Sequence, residues 1–360
     1  MSIELLKCLL CASEKAANIA RSCRNESALF ELLVEEKTGS DKNAKFVQDF
    51  KTLADVLIQE TVRHDVSQLF PALERNILGE ESNKFTNTLG QTVCVGVQKT
   101  EQETRELLSQ VLDNNQEAAA ILARHVHSTV NFDDLNDKLP ETALEDVSIE
   151  DVGVWIDPID GTSQYIKGGW DEVAQHYPPS RGLKVVTVLI GAFNMKTGEP
   201  IMGVVNQPFI SEGSDIGKIS YGYGSVSGLP NHEEIKYEKP RVLIGSSESQ
   251  ELVSALSEQF EVLKAGGAGH KLLMVAQGYA DIYINTGPST FRWDTCAPHA
   301  MLRALGGGVR DGHGQEIVYN VDQSNAANKG GIFAFREEKY FDAVSKILKK
   351  LKENMTDMRT

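Results

Sequence analysis

Apolar residues in the first part of the chain recur at helical spacing. Ile3, Leu6, Leu10, Ala17 and Ala20 predict an amphipathic helix over roughly the first 22 residues. The stretch ALFELLVEEK continues the helical tone, and the turn-rich TGSDKN then breaks it. From Thr52, TLADVLIQETVRHDVSQLF predicts a second long helix that stops before Pro71. RNILGEES predicts a short strand ending in an acidic corner, and ETRELLSQVLDNNQEAAAILARHVH is helical in pattern. NFDDLNDKLPETALEDVSIED is polar and acidic and predicts a surface loop. GVWI predicts a buried strand, and KISYGYGSV a further one. GLKVVTVLIGAFN and PIMGVVNQPF are β-rich runs joined by MKTG, the pattern of a hairpin.

The rhythm changes in the second half. Strands are expected in PRVLIGSS, EVLK, DIYINTG and GGIFAFR. Helices are expected in SQELVSALSEQF, HKLLMVAQGYA, DTCAPHAMLRAL and KYFDAVSKILKKLKENM. The chain is therefore α/β in class: an α+β first half of helices followed by a β-meander, then an alternating α/β half. The boundary is expected near residues 230–240, dividing the chain into 1–235 and 236–360. No internal repeat is present.

Composition narrows the function classes. The 360 residues carry a formal net charge of −15, with 41% hydrophobic and 24% charged residues. No basic block lies outside the C-terminal KILKKLKENM, whose charges read as the solvated face of an amphipathic helix. Nucleic-acid binding is not expected. The first residues lack a basic start, and Glu4 and Lys7 interrupt their apolar run, so no secretion signal is read there. No apolar run approaches the roughly 20 residues a membrane span requires, so no stable membrane insertion is expected. Five sparse cysteines point to a reducing compartment and a cytoplasmic protein. Cys8 and Cys11 form a C-x-x-C inside a helical pattern without a second ligand pair, and read as core thiols. His125 and His127 read as surface residues, His299 as core, and His270 as a possible neighbour of a ligand.

The chemistry concentrates in four acidic features at the ends of elements. In WIDPIDGT, Pro158 turns the strand. That turn can aim Asp157, Asp160 and the Ile159 carbonyl at one point. Gly161 and Thr162 then offer amides to a phosphate at a helix start. Glu80 and Glu81 follow a strand in LGEES. Asp294 is read as opening a helix in FRWDTCAPH, with Pro298 in or near its first turn. Asp55 completes a Thr52-x-x-Asp55 capping box. Each has a purely structural reading: an Asp turn, solvated acids, an N-cap and a cap. Carboxylates brought together would repel one another strongly, so convergence would require cations. Hard oxygen donors suit Mg²⁺.

WIDPIDGTSQYI and WDTCAPHAMLRALGGG resemble the two signature motifs of the lithium-sensitive, Mg²⁺-dependent phosphatases. These include inositol monophosphatase, fructose-1,6-bisphosphatase, bisphosphate nucleotidase and inositol polyphosphate 1-phosphatase. FKTLADVLIQE, LGEESNKFTN, DPIDGTSQYIKG and NKGGIFAFR are most similar to the last branch. The resemblance runs from SEKAANIAR to the terminal helix.

It implies a layered αβαβα sandwich binding two or three Mg²⁺ ions. Glu80, Asp157 and the Ile159 carbonyl would form one metal site. Asp157, Asp160 and Asp294 would form another, with Glu81 as a supporting acid and ligand. Asp55 and Thr162 would activate the attacking water. Substrate would contact Asp160, Gly161, Thr162, Ser247, Ser249, Gly267, Ala268 and Lys271. Ser249 stands where the branch leads one to expect lysine. The implied reaction is Mg²⁺-dependent, lithium-inhibited removal of the 1-phosphate from inositol 1,4-bisphosphate and inositol 1,3,4-trisphosphate by a monomer. The competing readings are a 3′(2′),5′-bisphosphate nucleotidase and a catalytically silent metal-binding or scaffold protein.

Overall fold

The computed structural model describes residues 2–25, 34–37, 50–135, 139, 147–170, 178–229 and 237–357. Helix α1 (Ser2–Asn25) and helix α2 (Leu53–Leu69) lie side by side, as their apolar spacing predicts. Between them, residues 34–37 depart from the helical expectation. Strand β1 (Val34–Glu36) pairs antiparallel with β2 (Phe50–Thr52), so the β-pairing of Val34 to Glu36 overrides their helical context. TGSDKN lies outside the described residues.

A six-stranded sheet follows in the order β10-β9-β8-β7-β6-β3. Its strands are β3 (Ile77–Gly79), β6 (Val152–Asp160), β7 (Thr187–Asn194), β8 (Pro200–Gln207), β9 (Lys218–Tyr223) and β10 (Val226–Gly228). β3 runs parallel to β6, and the other neighbours are antiparallel. β7 and β8 form the expected hairpin. A small ribbon of β4 (Lys84–Thr86) and β5 (Thr92–Cys94) was not legible in the sequence. The long helical pattern after residue 100 splits into α3 (Glu101–Val111) and α4 (Gln116–His127). Asp113 and Asn114 break it by taking positive φ angles of 51° and 67°.

The second sheet has the order β12-β11-β13-β15-β14. It contains β11 (Arg241–Ile244), β12 (Glu261–Lys264), β13 (Ile282–Asn285), β14 (Gly308–Arg310) and β15 (Ile332–Phe335). Between the sheets run α7 (Ala268–Ala276) and α8 (Arg292–Ala304). Outside the second sheet lie α6 (Gln250–Ser257) and α9 (Glu338–Asp357). With α1 and α2 against the outer face of the first sheet, the layers run αβαβα. Three apolar clusters fill the four interlayer spaces, one of them lying on both sides of the middle helices. The expected boundary near 230–240 falls mainly on residues outside the described ones. No helix among the described residues is long and apolar enough to cross a membrane.

One row of glycines sets how closely the middle layer approaches. Gly191, Gly203 and Gly222 pair in register across β7, β8 and β9. A Cβ at Gly191 or Gly203 would overlap the backbone of Ala297, and one at Gly222 that of Met301. The bare strands form a groove in which α8 beds against the sheet. That contact places the start of α8 beside the end of β6.

Candidate active site

β6 is buried along its whole length, and its pairing with β7 slips between Asp157 and Asp160. Asp157 pairs with Leu189 but Asp160 with Thr187, so three steps on β6 oppose two on β7. In a regular strand, residues three apart point to opposite faces. The extra residue beside Pro158 reverses that alternation and turns Asp160 to the side of Asp157. Asp294 completes the group from α8: one carboxylate oxygen from each of the three lies within 4.8 Å of the others, and all three residues are buried.

Asp294 does not itself begin α8. The N-cap is Phe291, and Asp294 sits at the third helical position, where its carboxylate accepts from the Phe291 N–H at 2.5 Å. Pro298 lies in the second turn rather than the first, and has no N–H to offer the Asp294 carbonyl. Asp160 does not cap the helix that follows it. The helix after it, α5 (Thr162–Lys167), has Gly161 as N-cap at φ +85°. The Asp160 carboxylate instead accepts from the N–H groups of Ala268 (3.0 Å) and His270 (3.1 Å), at the start of α7. Thr187 Oγ1 also donates to it at 3.3 Å.

The acidic tip of β3 adjoins this group. Glu80 N–H extends the ladder to the Ile156 carbonyl (3.1 Å), directly before Asp157. Lys37 pairs with Glu80 at 2.7 Å and Glu81 at 2.5 Å, and its side chain is 4% exposed. Burial opposes its charge, but the two carboxylates outweigh burial and hold its pKa above the ordinary lysine value.

Asp55 is buried in α2 and forms the expected capping box with Thr52. Its Oδ2 accepts from Thr52 N–H (2.6 Å) and Thr52 Oγ1 (2.7 Å), leaving Oδ1 buried without a hydrogen-bond partner. Thr162 Oγ1 donates to the Ile159 carbonyl at 3.0 Å, so Asp55 and Thr162 are not joined by a hydrogen bond.

The electrostatics favour a bound cation. Burial, then the charges of Glu80, Asp160, Asp294 and Asp55, raise Asp157 well above the carboxylate range. Burial, Asp160 and Glu80 do the same to Asp294. Burial raises Asp160 as well, against the opposing charge of Lys271 and the two amides. Burial pushes Asp55 up to about 7, and burial with Glu80 pushes Glu81 up to about 8. Asp157 Oδ1 is buried with no hydrogen-bond partner. Convergent hard oxygens, mutual repulsion and an unsatisfied carboxylate oxygen fit Mg²⁺.

The expected substrate side is more varied. Gly267 has φ +69°, which favours glycine, and is the N-cap of α7. Lys271 is buried, with Nζ donating to the carbonyls of Ala265 (3.2 Å) and Gly267 (2.5 Å) and lying 5.0 Å over the Tyr283 ring. It therefore builds the loop from beneath. Ser247 is exposed, and Ser249 caps α6 by accepting from Leu252 N–H. His270 is buried, its Nε2 3.0 Å from the Pro179 carbonyl, and burial lowers its pKa to about 4. His299 is a core residue 3.0 Å from the Tyr319 hydroxyl. His127, expected at the surface, is half-buried against Thr104 Oγ1. Burial pushes the Cys8 thiol up to about 12, as suits a core thiol.

Lys37 and Gln59 escaped the sequence reading. Gln59 stands one helical turn after Asp55, a spacing that marks a shared face. Nothing in the spacing around Lys37 points to Glu80.

The model of the inositol monophosphatase family matches residues 5–349. The chain belongs to the inositol monophosphatase family. It is 40% identical to the inositol polyphosphate 1-phosphatase of Mus musculus, with 99% of each chain covered. It is 41% identical to that of Homo sapiens, over 96% of this chain and 97% of the relative. The family member is thus a phosphatase. The 3′(2′),5′-bisphosphate nucleotidase 1 of Rattus norvegicus is 27% identical, over 91% of this chain and 90% of the relative. Among solved structures, the extragenic suppressor protein suhB of Bartonella henselae shares the fold at a TM-score of 0.56. It is 16% identical, over 95% of this chain and 97% of that one.

Proposed function

We propose that this phosphatase removes the 1-phosphate from inositol 1,4-bisphosphate and inositol 1,3,4-trisphosphate, requires Mg²⁺ and is inhibited by Li⁺. The observation that carries the reading is the buried trio Asp157, Asp160 and Asp294, within 4.8 Å of one another. The substrate assignment is supported by similarity to inositol polyphosphate 1-phosphatases along nearly the whole chain. The weaker match to the rat nucleotidase makes adenosine 3′,5′-bisphosphate the second substrate to test.

In this reading two or three Mg²⁺ ions are held by Glu80, Glu81, Asp157, the Ile159 carbonyl, Asp160 and Asp294. Bound there, Mg²⁺ would offset the carboxylate charge, polarise the phosphate and ease proton loss from the attacking water. The chain's own groups do the rest. Gly161 and Thr162 point amides at the phosphate from the start of α5. Asp55 keeps Oδ1 for the proton of the attacking water, which the Thr162 hydroxyl would relay on turning from the Ile159 carbonyl toward Asp55. A carboxylate with its pKa near 7 suits that work at neutral pH. Glu81 would help hold water near the metal ions. Ser247, Ser249, Gly267 and Ala268 face the inositol ring and its retained phosphates. Lys271 fixes the shape and charge of that wall. Residues 1–235 supply most metal ligands, and 236–360 supply Asp294 and the ring side. The protein acts as a cytoplasmic monomer.

The purified protein is to be assayed with inositol 1,4-bisphosphate and with adenosine 3′,5′-bisphosphate, each with and without Mg²⁺. Mg²⁺-dependent phosphate release from the first supports the reading. Preference for the nucleotide overturns the substrate assignment. Release from neither substrate favours a silent metal-binding protein.

A further inference from the structure

Gln59 lies on the same face of α2 as Asp55, one turn later, and is fully buried. Its side-chain amide grips the backbone of Glu81 from both ends. Nε2 donates to the Glu81 carbonyl at 2.5 Å, and Oε1 accepts from the Glu81 N–H at 2.8 Å. Nothing else in the acidic tip is held by a side chain in this two-way manner among the described residues. The adjoining backbone is fixed as well: Gln323 Nε2 donates to the Gly79 carbonyl at 2.9 Å, and Glu80 N–H to Ile156. Gly79 packs directly on Gln59, where an added Cβ would overlap Oε1, Cδ and Cγ of that side chain.

We propose that Gln59 is a positioning residue that sets the Glu80–Glu81 pair against Asp55 and Asp157, and so sets Mg²⁺ affinity. The inference rests on the reading above that Glu80 and Glu81 hold Mg²⁺. A buried amide making two backbone hydrogen bonds fixes both the height and the rotation of the peptide it grips. Supports of this kind, one shell away from the ligands, typically change metal affinity by about 10- to 100-fold when removed. Because Asp55 and Gln59 share one rigid helix, the clamp also fixes the distance between the proton acceptor and the metal acids. Gly79 is the matching half of the device. A methyl group there can be accommodated only by moving Gln59 off Glu81.

The test is a double-mutant cycle on the full chain, read by calorimetric titration with Mg²⁺ alone. Gln59→Ala and Gly79→Ala are each expected to weaken Mg²⁺ binding about tenfold. The double variant is expected to be no weaker than Gln59→Ala, because the space left by Gln59 accepts the Gly79 methyl. At saturating Mg²⁺, KM for inositol 1,4-bisphosphate should stay near wild type while the Mg²⁺ requirement shifts. A merely structural residue would lower Tm in EDTA and leave the Mg²⁺ affinity of the folded protein unchanged. That result, or additive losses in the double variant, overturns the proposal. If Gln59→Ala fails to fold, Gly79→Ala alone decides, by weakened or unweakened binding. Failure of the wild-type chain to bind Mg²⁺ would overturn the proposed function instead.

Discussion

The Asp160 carboxylate accepts a hydrogen bond from the Ala268 N–H at 3.0 Å, 108 residues further along the chain. This contact ties the bulged end of β6 to the first turn of α7. The helix N-terminus favours the charge of Asp160, partly offsetting what burial costs it. Asp160 and the loop that opens α7 are therefore one mechanical unit.

Gly267→Ala tests that unit. Its Cβ would lie 2.7 Å from Asp160 Oδ2, and φ is +69°. The left-handed backbone alone costs about 1 kcal/mol for alanine. The expected outcome is a loss of stability of about 1–3 kcal/mol in a denaturant titration, with Mg²⁺ affinity reduced about tenfold or more. Wild-type Mg²⁺ affinity would show that the hold of this loop on Asp160 does not set metal binding.

Asp157→Asn should separate function from fold. Asp157 stands among Glu80, Asp160, Asp294 and Asp55, and all four charges disfavour its ionisation. Removing the charge relieves repulsion while removing a ligand. Mg²⁺-dependent turnover should fall at least about a thousandfold, roughly 4 kcal/mol of transition-state stabilisation. Tm in EDTA should equal or exceed that of the wild type. Near-normal turnover would sink the assignment of this group as the metal site.

The carboxylate pKa values also predict how pH and Mg²⁺ are linked. Folding raises Asp55 to about 7 and Glu81 to about 8, and raises Asp157, Asp160 and Asp294 as well. A raised folded pKa means that the folded state binds protons more tightly than the unfolded chain. The stability from Asp55 and Glu81 is therefore fully present below about pH 4, and is lost as pH rises through about 7 and about 8. Mg²⁺ must displace those protons. Its affinity should rise between pH 6 and 8, and titrations in buffers of different ionisation enthalpy should show proton release. PH-independent binding without proton release would contradict the linkage.

Much of this was legible one element at a time. Apolar spacing predicts α1 and α2, and β-runs predict β7 and β8. Thr52-x-x-Asp55 reads correctly as a cap because a capping box is local. What stayed hidden depends on partners distant in sequence. Val34 to Glu36 look helical until β2 pairs with them. Asp160 appears to cap the helix next to it, yet caps α7. The glycines at 191, 203 and 222 read as weak strand positions until α8 is seen against them. The convergence of Asp157, Asp160 and Asp294 could be expected because each lies in a contiguous motif. Lys37 and Gln59 could not, since each acts on a segment more than one element away.

Lys37→Met tests how far that hidden cation supports the site. The Lys37 ammonium reaches both Glu80 and Glu81, and its side chain is almost wholly buried. Removing one member of a buried ionic group leaves the others uncompensated, at a typical cost of about 3–5 kcal/mol. Glu80 is 20% exposed at its side chain and can keep some water, so the lower end of that range applies. The variant should melt well below wild type in EDTA. Mg²⁺ brings an alternative positive charge to the same acids, so it should raise the Tm of Lys37→Met by more than it raises that of the wild type. Thermal scans of both proteins in EDTA and in Mg²⁺ make the comparison. An equal Mg²⁺-induced shift would show that Lys37 and the metal ions do not share Glu80 and Glu81.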